Sequence, residues 1–420
     1  MTAETRLPKV LCIARSYPNP VLPRLGLWTE RIVQSCAGLA EIKVVAPVPY
    51  WPPLPGPEVY ARFRAVTPHA LRGGNDVFHP RFLAGVGSVF KSLEAWTFSA
   101  SVARCVRALR PAFPFELIHA HFVHPDGWAA AKLAQRYRVP LVITEHAAWH
   151  PWLDHRRGPR RMALAAAAQS TFLIAVSHAH RSTMADFLDR ESREKLRVIP
   201  NAVDTQIFTR ASAGSARAAN RLLFVGIMRH VKGLDVLMRA VRLLLDRGRP
   251  VSLAIVGESF YAAYQRDYER VRRLVTELDL EQSVQFLGGM PPADVAREMQ
   301  QSALLVLPSR RESFGSVLAE ALACGIPVVS TKCGGPEEIV DESVGVLVPP
   351  ENPQALADGI AEVMDRSGSY DPSRLRAYAE QRYDIRHVGR QYAELYSSAL
   401  QRYVGADGGD SATSRVARNR

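Results

Sequence analysis

Short runs of β-branched and apolar residues, three to seven long, recur between longer helical stretches throughout this chain. In the first half they fall at Val10–Ala14, Ile42–Val48, Leu117–His121, Leu141–Glu145, Phe172–Ser177 and Arg197–Pro200. In the second half they fall at Leu222–Gly226, Leu253–Gly257, Val284–Leu287, Leu304–Leu307, Val328–Thr331 and Val346–Val348. Strands that alternate with helices of ten or more residues build parallel sheets from βαβ units. Strands that are apolar throughout belong to sheets covered on both faces. The two sets are of about equal size. Between them lies Thr205–Asn220, an Ala/Ser/Gly-rich stretch with neither helical nor strand period. The expected architecture is therefore α/β, with two Rossmann-like, doubly wound parallel-sheet domains. We expect a first domain over 1–206, a linker over 207–220 and a second domain over 221–373. A C-terminal helix over 374–403 follows, with Tyr392, Tyr396, Ala399 and Tyr403 spaced to pack back on the first domain. The Gly/Ser-rich 404–420 is expected to be disordered. Ligands of such sheets sit outside the carboxyl ends of the strands, so two sheets facing each other would share a central cleft.

A length of 420 residues suits two or three domains. No apolar run approaches the ~18 residues of a membrane span. The N-terminal stretch does not read as a signal peptide. The five cysteines show no metal-binding spacing and read as thiols of a reducing compartment. The net charge of +12 is uneven. Residues 1–205 carry 26 Lys+Arg against 15 Asp+Glu, and the remainder 27 against 26. No helix-turn-helix, zinc-finger or RNA-binding signature accompanies the charge, so nucleic acid is not an expected partner.

The most informative stretch is LPSRRESFGSVLAEALACGIPVVS, from Leu307 to Ser330. It reads as strand, loop, helix, glycine stop, strand, with Ser313 as N-cap and Gly325 just past the helix end. Glu312 falls in the loop at a strand's carboxyl end, and Glu320 eight residues on, inside the helix. The helix N-terminus around Phe314–Ser316 offers unpaired amides and a positive dipole end, which suits phosphate. Two carboxylates flanking a phosphate seat suit a ligand with hydroxyls on both sides of a diphosphate, such as a nucleotide sugar.

The Glu312…Glu320 element, followed by ALACGIPVVST and by GGPEEIV at Gly334–Val340, resembles the donor site of glycosyltransferase family 4, whose members are retaining, metal-independent enzymes of the GT-B fold. FVGIMRHVKGLDVLMRA at Phe224–Ala240 is similar to the family's diphosphate-holding strand–loop–helix. RVIPNAVDTQIF resembles its junction into the linker, SYPNPVLPRLGLWTE its glycine-containing first loop, and LVITEHAAWH its strand ending in a histidine. The resemblance implies that Glu320 accepts from ribose hydroxyls and that Glu312 binds donor-sugar hydroxyls. It implies that amides near Phe314, Gly315 and Ser316 contact sugar or phosphate, and that Lys232 neutralises the diphosphate. His146 would approach the reacting sugar, and Gly26 would let backbone amides come close to phosphate. His146, Glu312 and Lys232 would be the catalytic residues, with no metal site and no cofactor beyond the donor. The leaving phosphate would itself serve as base toward the acceptor hydroxyl. The chain departs from the family pattern in three places. Ile227 stands where many members carry Arg, leaving Arg229 as the nearby guanidinium; Ala202 replaces the junction glycine; and Ala147-Ala148 follows His146 where many have a glycine and an acid.

The implied activity is transfer of a sugar from a nucleotide-diphosphate sugar to a glycan or lipid-linked acceptor, in cell-surface polysaccharide or glycolipid assembly. A nucleotide-sugar epimerase and a non-catalytic nucleotide-sugar-binding protein are the competing readings. The segment Phe90–Arg110 is a basic amphipathic helix, with Leu93, Phe98, Val102, Val106 and Leu109 on its apolar face. The basic cluster His155–Met162 follows an aromatic loop with Trp149 and Trp152. The two together suggest an anionic membrane surface as partner, and a cytoplasmic enzyme peripheral to the inner face of the membrane. HAHFVHPDG at His119–Gly127 looks metal-like, but its histidines read better as a cleft-lining strand end.

Overall fold

The computed structural model describes residues 6–52, 58–84, 91–147, 157–212, 217–258 and 262–413. The chain divides into two compact units. One comprises residues up to 176, 180–200 and 388 onward, and the other 177–179 and 201–387.

The first unit carries β1 (Lys9–Ile13), β2 (Glu41–Val45), β3 (Val48–Tyr50), β4 (His69–Arg72), β5 (Asn75–Phe78), β6 (Arg81–Leu83), β7 (Leu117–His121), β8 (Leu141–Thr144), β9 (Phe172–Ala175) and β10 (Leu196–Val198). Its main sheet has the order β10-β9-β8-β7-β1-β2-β5-β4. All neighbours run parallel except the β4–β5 pair. From β1 the chain winds outward through β2, then returns to β7 and winds the other way. The reversal point of the sheet therefore lies between β1 and β7. β7 and β8 are buried along their whole length, as a sheet covered on both faces requires. Phe98, Val102 and Val106 of the helix Lys91–Leu109 and Ala129, Ala130 and Leu133 of the helix Trp128–Tyr137 pack on Ile118 and Ile143 in one apolar cluster.

Three details differ from expectation. The run Ile42–Val48 is two strands, because Pro47 has no N–H to donate and the chain leaves the main sheet to pair β3 with β6. The β4–β5 hairpin turns on Gly73 and Gly74, whose φ values of 54° and 79° fit a type I′ turn. Leu93 is not part of the buried face of its helix: it stands 53% exposed beside Trp96 at 55%.

The second unit carries β11 (Ala218–Val225), β12 (Ser252–Val256), β13 (Val284–Gly288), β14 (Ser302–Leu307), β15 (Val328–Thr331) and β16 (Gly345–Val348), all parallel, in the order β13-β12-β11-β14-β15-β16. β11 begins at Ala218, so the last three residues of the expected linker are strand, paired to β14 from Ala218 onward; residues 213–216 lie outside the described residues. The helix Leu234–Asp246 buries Leu234, Leu237, Val241 and Leu244 on one stripe.

The expected helix 374–403 is two helices, Pro372–Tyr383 and Ile385–Thr413. Asp384 separates them. It bridges to Val203, accepts from Thr205 Oγ1 at 2.5 Å, and accepts from the Arg386 amide at 2.9 Å. The first helix belongs to the second unit, and the second helix, from Val388, to the first. There Gly389 lies so close to the end of the helix Leu27–Ser35 that an added Cβ would stand 1.8 Å from the Ser35 carbonyl oxygen. Tyr392, Tyr396 and Ala399 are fully buried. The helix runs to Thr413, ten residues past its expected end, a continuation that Gly405, Gly408 and Gly409 disfavour by propensity. Residues 414–420 lie outside the described residues, as do Trp149, Trp152 and the first two residues of the basic cluster His155–Met162. No helix among the described residues is long and apolar enough to cross a membrane.

Candidate functional site

Beyond β11 the chain passes through Arg229 into a 3-10 turn, His230–Lys232, and then Gly233. Gly233 has φ 68°, and an added Cβ would lie 1.9 Å from the Pro308 carbonyl oxygen, just past β14. Only glycine fits so close an approach. It brings the loop after β11 against the loop after β14. Between the two loops, Lys232 Nζ donates to Glu312 Oε1 at 2.5 Å, and Ser309 Oγ donates to the same oxygen at 2.7 Å. The loops are further locked by Arg310, which donates to both carboxylate oxygens of Asp235 at 2.9 Å and to the His230 carbonyl at 2.6 Å. Burial alone would raise the Asp235 carboxyl. The hydrogen bonds and charge of Arg310 outweigh it and hold the group below the usual carboxylate range.

The backbone of Glu312 is pinned from the other side. Its N–H donates to Cys333 O at 3.2 Å, and its carbonyl accepts from Gly335 N at 3.0 Å. A Cβ on Gly335 would lie 2.3 Å from Phe314 Cα, so the Gly334-Gly335 pair is what lets this segment lie flat against Glu312–Phe314. Phe314 is buried, edge-on to Tyr383 at 5.4 Å. The helix Ser316–Ala323 is capped by Gly315, at φ 96°, and not by Ser313 as expected. The clamp on Glu312–Phe314 delays the helix start by two residues, and the Ser313 carbonyl instead accepts from Ser177 Oγ at 2.6 Å. Gly325 ends the helix as expected: its amide donates to Leu322 O and that of Ile326 to Ala321 O, a Schellman closure. Ser316 Oγ accepts from Asn201 Nδ2 at 3.2 Å, and Glu320 is buried inside the helix. Arg229 lines a small pocket with His230, Asp267 and Arg270. Lys232, Glu312 and Phe314–Ser316 thus come together on the carboxyl side of β11 and β14. Ser309, Arg310, Asp235 and Gly335 are the supporting residues that the sequence reading missed. The Arg-Arg before Glu312 and the Asp two residues after Gly233 were the available signals.

His146 and Gly26 belong to the first unit. Gly26, at φ 82°, caps the helix Leu27–Ser35, and an added Cβ would lie 2.0 Å from the Ser16 carbonyl oxygen. The close approach it permits here is to the loop after β1. His146 lies just past β8, 8% exposed, with Nε2 2.9 Å from His121 Nδ1 and the two rings stacked at 15°. Its position is fixed by Glu145, whose carboxylate accepts from the amides of Val123, His146 and Ala147 at 2.9–3.0 Å. Burial pushes the Glu145 carboxyl up to about 7, against the pull of those amides. His119 hydrogen-bonds Tyr396 and Thr144, each at 2.8 Å, and burial holds it down to about 3. Burial also holds His121 well below the usual histidine range, with the charges of His119 and His146 adding to the effect. His119 and His121 are therefore core residues and do not line a cleft. Of the HAHFVH histidines, His124 lines a pocket, with Arg15, Glu94 and Asp126. No group of three His, Cys, Asp or Glu side chains among the described residues could hold a metal ion.

The family profile described as Glycosyl transferases group 1 matches residues 206–382, and Glycosyltransferase Family 4 matches residues 58–207. The chain is 30% identical over 296 residues to a D-inositol 3-phosphate glycosyltransferase of Frankia alni, covering 65% of this chain and 72% of that protein. The chain belongs to glycosyltransferase family 4. A second relative of this family 4 enzyme, D-inositol 3-phosphate glycosyltransferase 1 of Catenulispora acidiphila, is 32% identical over 289 residues, covering 64% of this chain and 67% of that protein. Among solved structures, sucrose-phosphate synthase from Thermosynechococcus elongatus superposes with a TM-score of 0.78 at 18% identity, covering 94% of this glycosyltransferase and all of that chain. Anabaena Alr3699/HepE, solved in complex with UDP, matches with a TM-score of 0.69 at 22% identity, covering 93% of this chain and all of that one. The two α/β units of the family 4 enzyme are those of the GT-B fold.

Proposed function

We propose that this glycosyltransferase moves a sugar, with retention of anomeric configuration, from a nucleotide-diphosphate sugar to a hydroxyl of a glycan or lipid-linked acceptor, in cell-surface polysaccharide or glycolipid assembly. The observation that carries the reading is the Lys232–Glu312 pair, 2.5 Å apart, with Ser309 on the same carboxylate oxygen. A cation and a carboxylate held against each other at the sheet's ligand-binding edge match the two ends of a donor. Lys232 turns to the diphosphate and stabilises the charge that develops on it, while Glu312 turns to the sugar hydroxyls. Glu320 takes the ribose hydroxyls, and the amides of Phe314–Ser316 take the sugar or phosphate. Alr3699/HepE has been solved with UDP and with UDP-glucose, which supports a uridine donor as the first to test.

The test is release of nucleoside diphosphate with a panel of uridine and guanosine diphosphate sugars, with and without EDTA. Lys232→Ala and Glu312→Gln are expected to lower kcat by roughly 100- to 1,000-fold while the proteins stay folded. Full activity in either variant sinks the assignment. NMR of the product's anomeric proton decides retention. We place the enzyme in the cytoplasm, at the inner face of an anionic membrane. The support is the exposed Leu83, Leu93 and Trp96 together with the exposed Arg104 and Arg107 of the same region.

A further inference from the structure

Open parallel sheets bind ligands outside the carboxyl ends of their strands, where the winding reverses. In the first unit that point lies between β1 and β7, and a crevice of about 180 Å³ opens there. Arg15 and Ser16 follow β1 and form one wall; Phe122, His124 and Asp126 follow β7 and form the other; Glu94 and Ala95 of the helix Lys91–Leu109 close it. We propose that this crevice holds the neutral, hydroxyl-rich end of a glycan acceptor, and that it does not accept a phosphomonoester. The inference rests on the glycosyltransferase reading above.

The charges argue for this ligand class. The Arg15 guanidinium is already compensated by Glu94, 2.6 Å away and 7% exposed, and it stacks 5.1 Å over the Phe82 ring. Among the described residues lining the crevice there is no lysine and no second arginine. A phosphomonoester carries close to two negative charges at neutral pH and needs several strong donors in exchange for its water. The crevice instead presents a guanidinium and a carboxylate side by side, the donor–acceptor pattern that adjacent sugar hydroxyls satisfy. Asp126, 1% exposed, accepts from the Arg15 amide and adds a polar floor. Burial pushes its carboxyl up to about 8, so near neutral pH it adds little negative charge and can donate as well as accept. The Phe122 ring forms an apolar side against which a pyranose can lie, and it also touches His146 at 5.3 Å. A sugar in the crevice would therefore sit one ring away from the histidine expected to face the reacting sugar.

The experiment is saturation-transfer NMR on the full chain, with methyl α-glucoside, methyl α-mannoside, methyl β-N-acetylglucosaminide and myo-inositol 3-phosphate as probes, each with and without UDP. At least one neutral glycoside is expected to bind, and its signal to fall at least fivefold in Glu94→Gln and in Ser16→Leu, which blocks the crevice by bulk. UDP affinity, measured by calorimetry on the same proteins, is expected to stay within twofold. Inositol 3-phosphate is expected to give at most a tenth of the glycoside signal. The proposal is overturned if no neutral glycoside binds, if inositol 3-phosphate binds better, or if Ser16→Leu leaves glycoside binding intact. Failure of UDP to bind overturns the donor reading instead and is scored separately.

Discussion

Gly233 and Gly335 show how single atoms hold the loops that follow β11 and β14. A methyl group at Gly233 meets the Pro308 carbonyl oxygen at 1.9 Å, and one at Gly335 meets the backbone of Phe314 at 2.3 Å. Both are backbone contacts and cannot be relieved by a rotamer change. Gly233→Ala is expected to cost at least about 2 kcal/mol, from the left-handed φ as well as the clash, and to abolish donor binding before it abolishes folding. Urea unfolding beside calorimetric titration with UDP checks the order of the two losses. A second residue-scale prediction concerns Asp126. Its folded pKa of about 8 lies above its unfolded value, so the folded state holds the extra proton between about pH 4 and 8. The contribution is fully present below the unfolded pKa and is lost as pH rises toward 8. Asp126→Asn removes that dependence, so relative to the wild type the variant should gain stability as pH rises from 5 to 8. Denaturant midpoints at the two values measure it, and an unchanged difference contradicts the assignment. Glu312 and Glu320 were marked in the sequence by residue type and spacing, and Lys232 only by the family resemblance. Ser309 and Arg310 were not, because what they do depends on which loop lies opposite, and that is set by the pairing of β11 with β14.

At the scale of elements, the parallel strands announced themselves by length and apolar content, and nearly all end within two residues of where composition places them. The hairpin β4–β5 was missed although Gly73-Gly74 flanked by short extended runs is a turn signal. Its strands are half-exposed and carry no apolar run. The split of Ile42–Val48 was likewise signalled by Pro47 alone. The helix Ile385–Thr413 was visible in its tyrosine spacing, but not the reason for that spacing. Tyr396 donates or accepts at His119 Nδ1, and Tyr392 at Thr144. Tyr396→Phe leaves a buried imidazole nitrogen without its partner and is expected to cost about 1–3 kcal/mol. It should leave UDP binding unchanged, because these contacts belong to the first unit. Thermal unfolding with and without UDP tests both halves of that statement.

For the whole molecule, the charge asymmetry has a defined place. The excess of basic residues lies in the first 205 residues, with near balance beyond. Near the exposed Trp96, Lys132 lies 3.9 Å over its ring and 3.4 Å over that of Trp128, a cation held on an aromatic platform at the surface. Binding to vesicles with anionic lipid should exceed binding to zwitterionic ones at low salt, and should fall as ionic strength passes about 0.15 M. Trp96→Ser with Leu93→Ser should weaken it at least threefold in a flotation assay. Equal binding to both vesicle types counts against a membrane role. The overall two-domain plan was readable because βαβ alternation is a local pattern repeated many times; the assignment of residues 388–413 to the first unit is a long-range fact that no local pattern states. It has a consequence for biosynthesis. The first unit lacks Tyr392 and Tyr396 until the second unit has been translated in full, so on the ribosome it waits, with the pocket beside His119 and Thr144 open, while the later-made unit completes its own sheet. The half of the chain that is synthesised first is the half that matures last, and a stop codon near residue 385 would spare the second unit while leaving its elder neighbour exposed to chaperones and proteases.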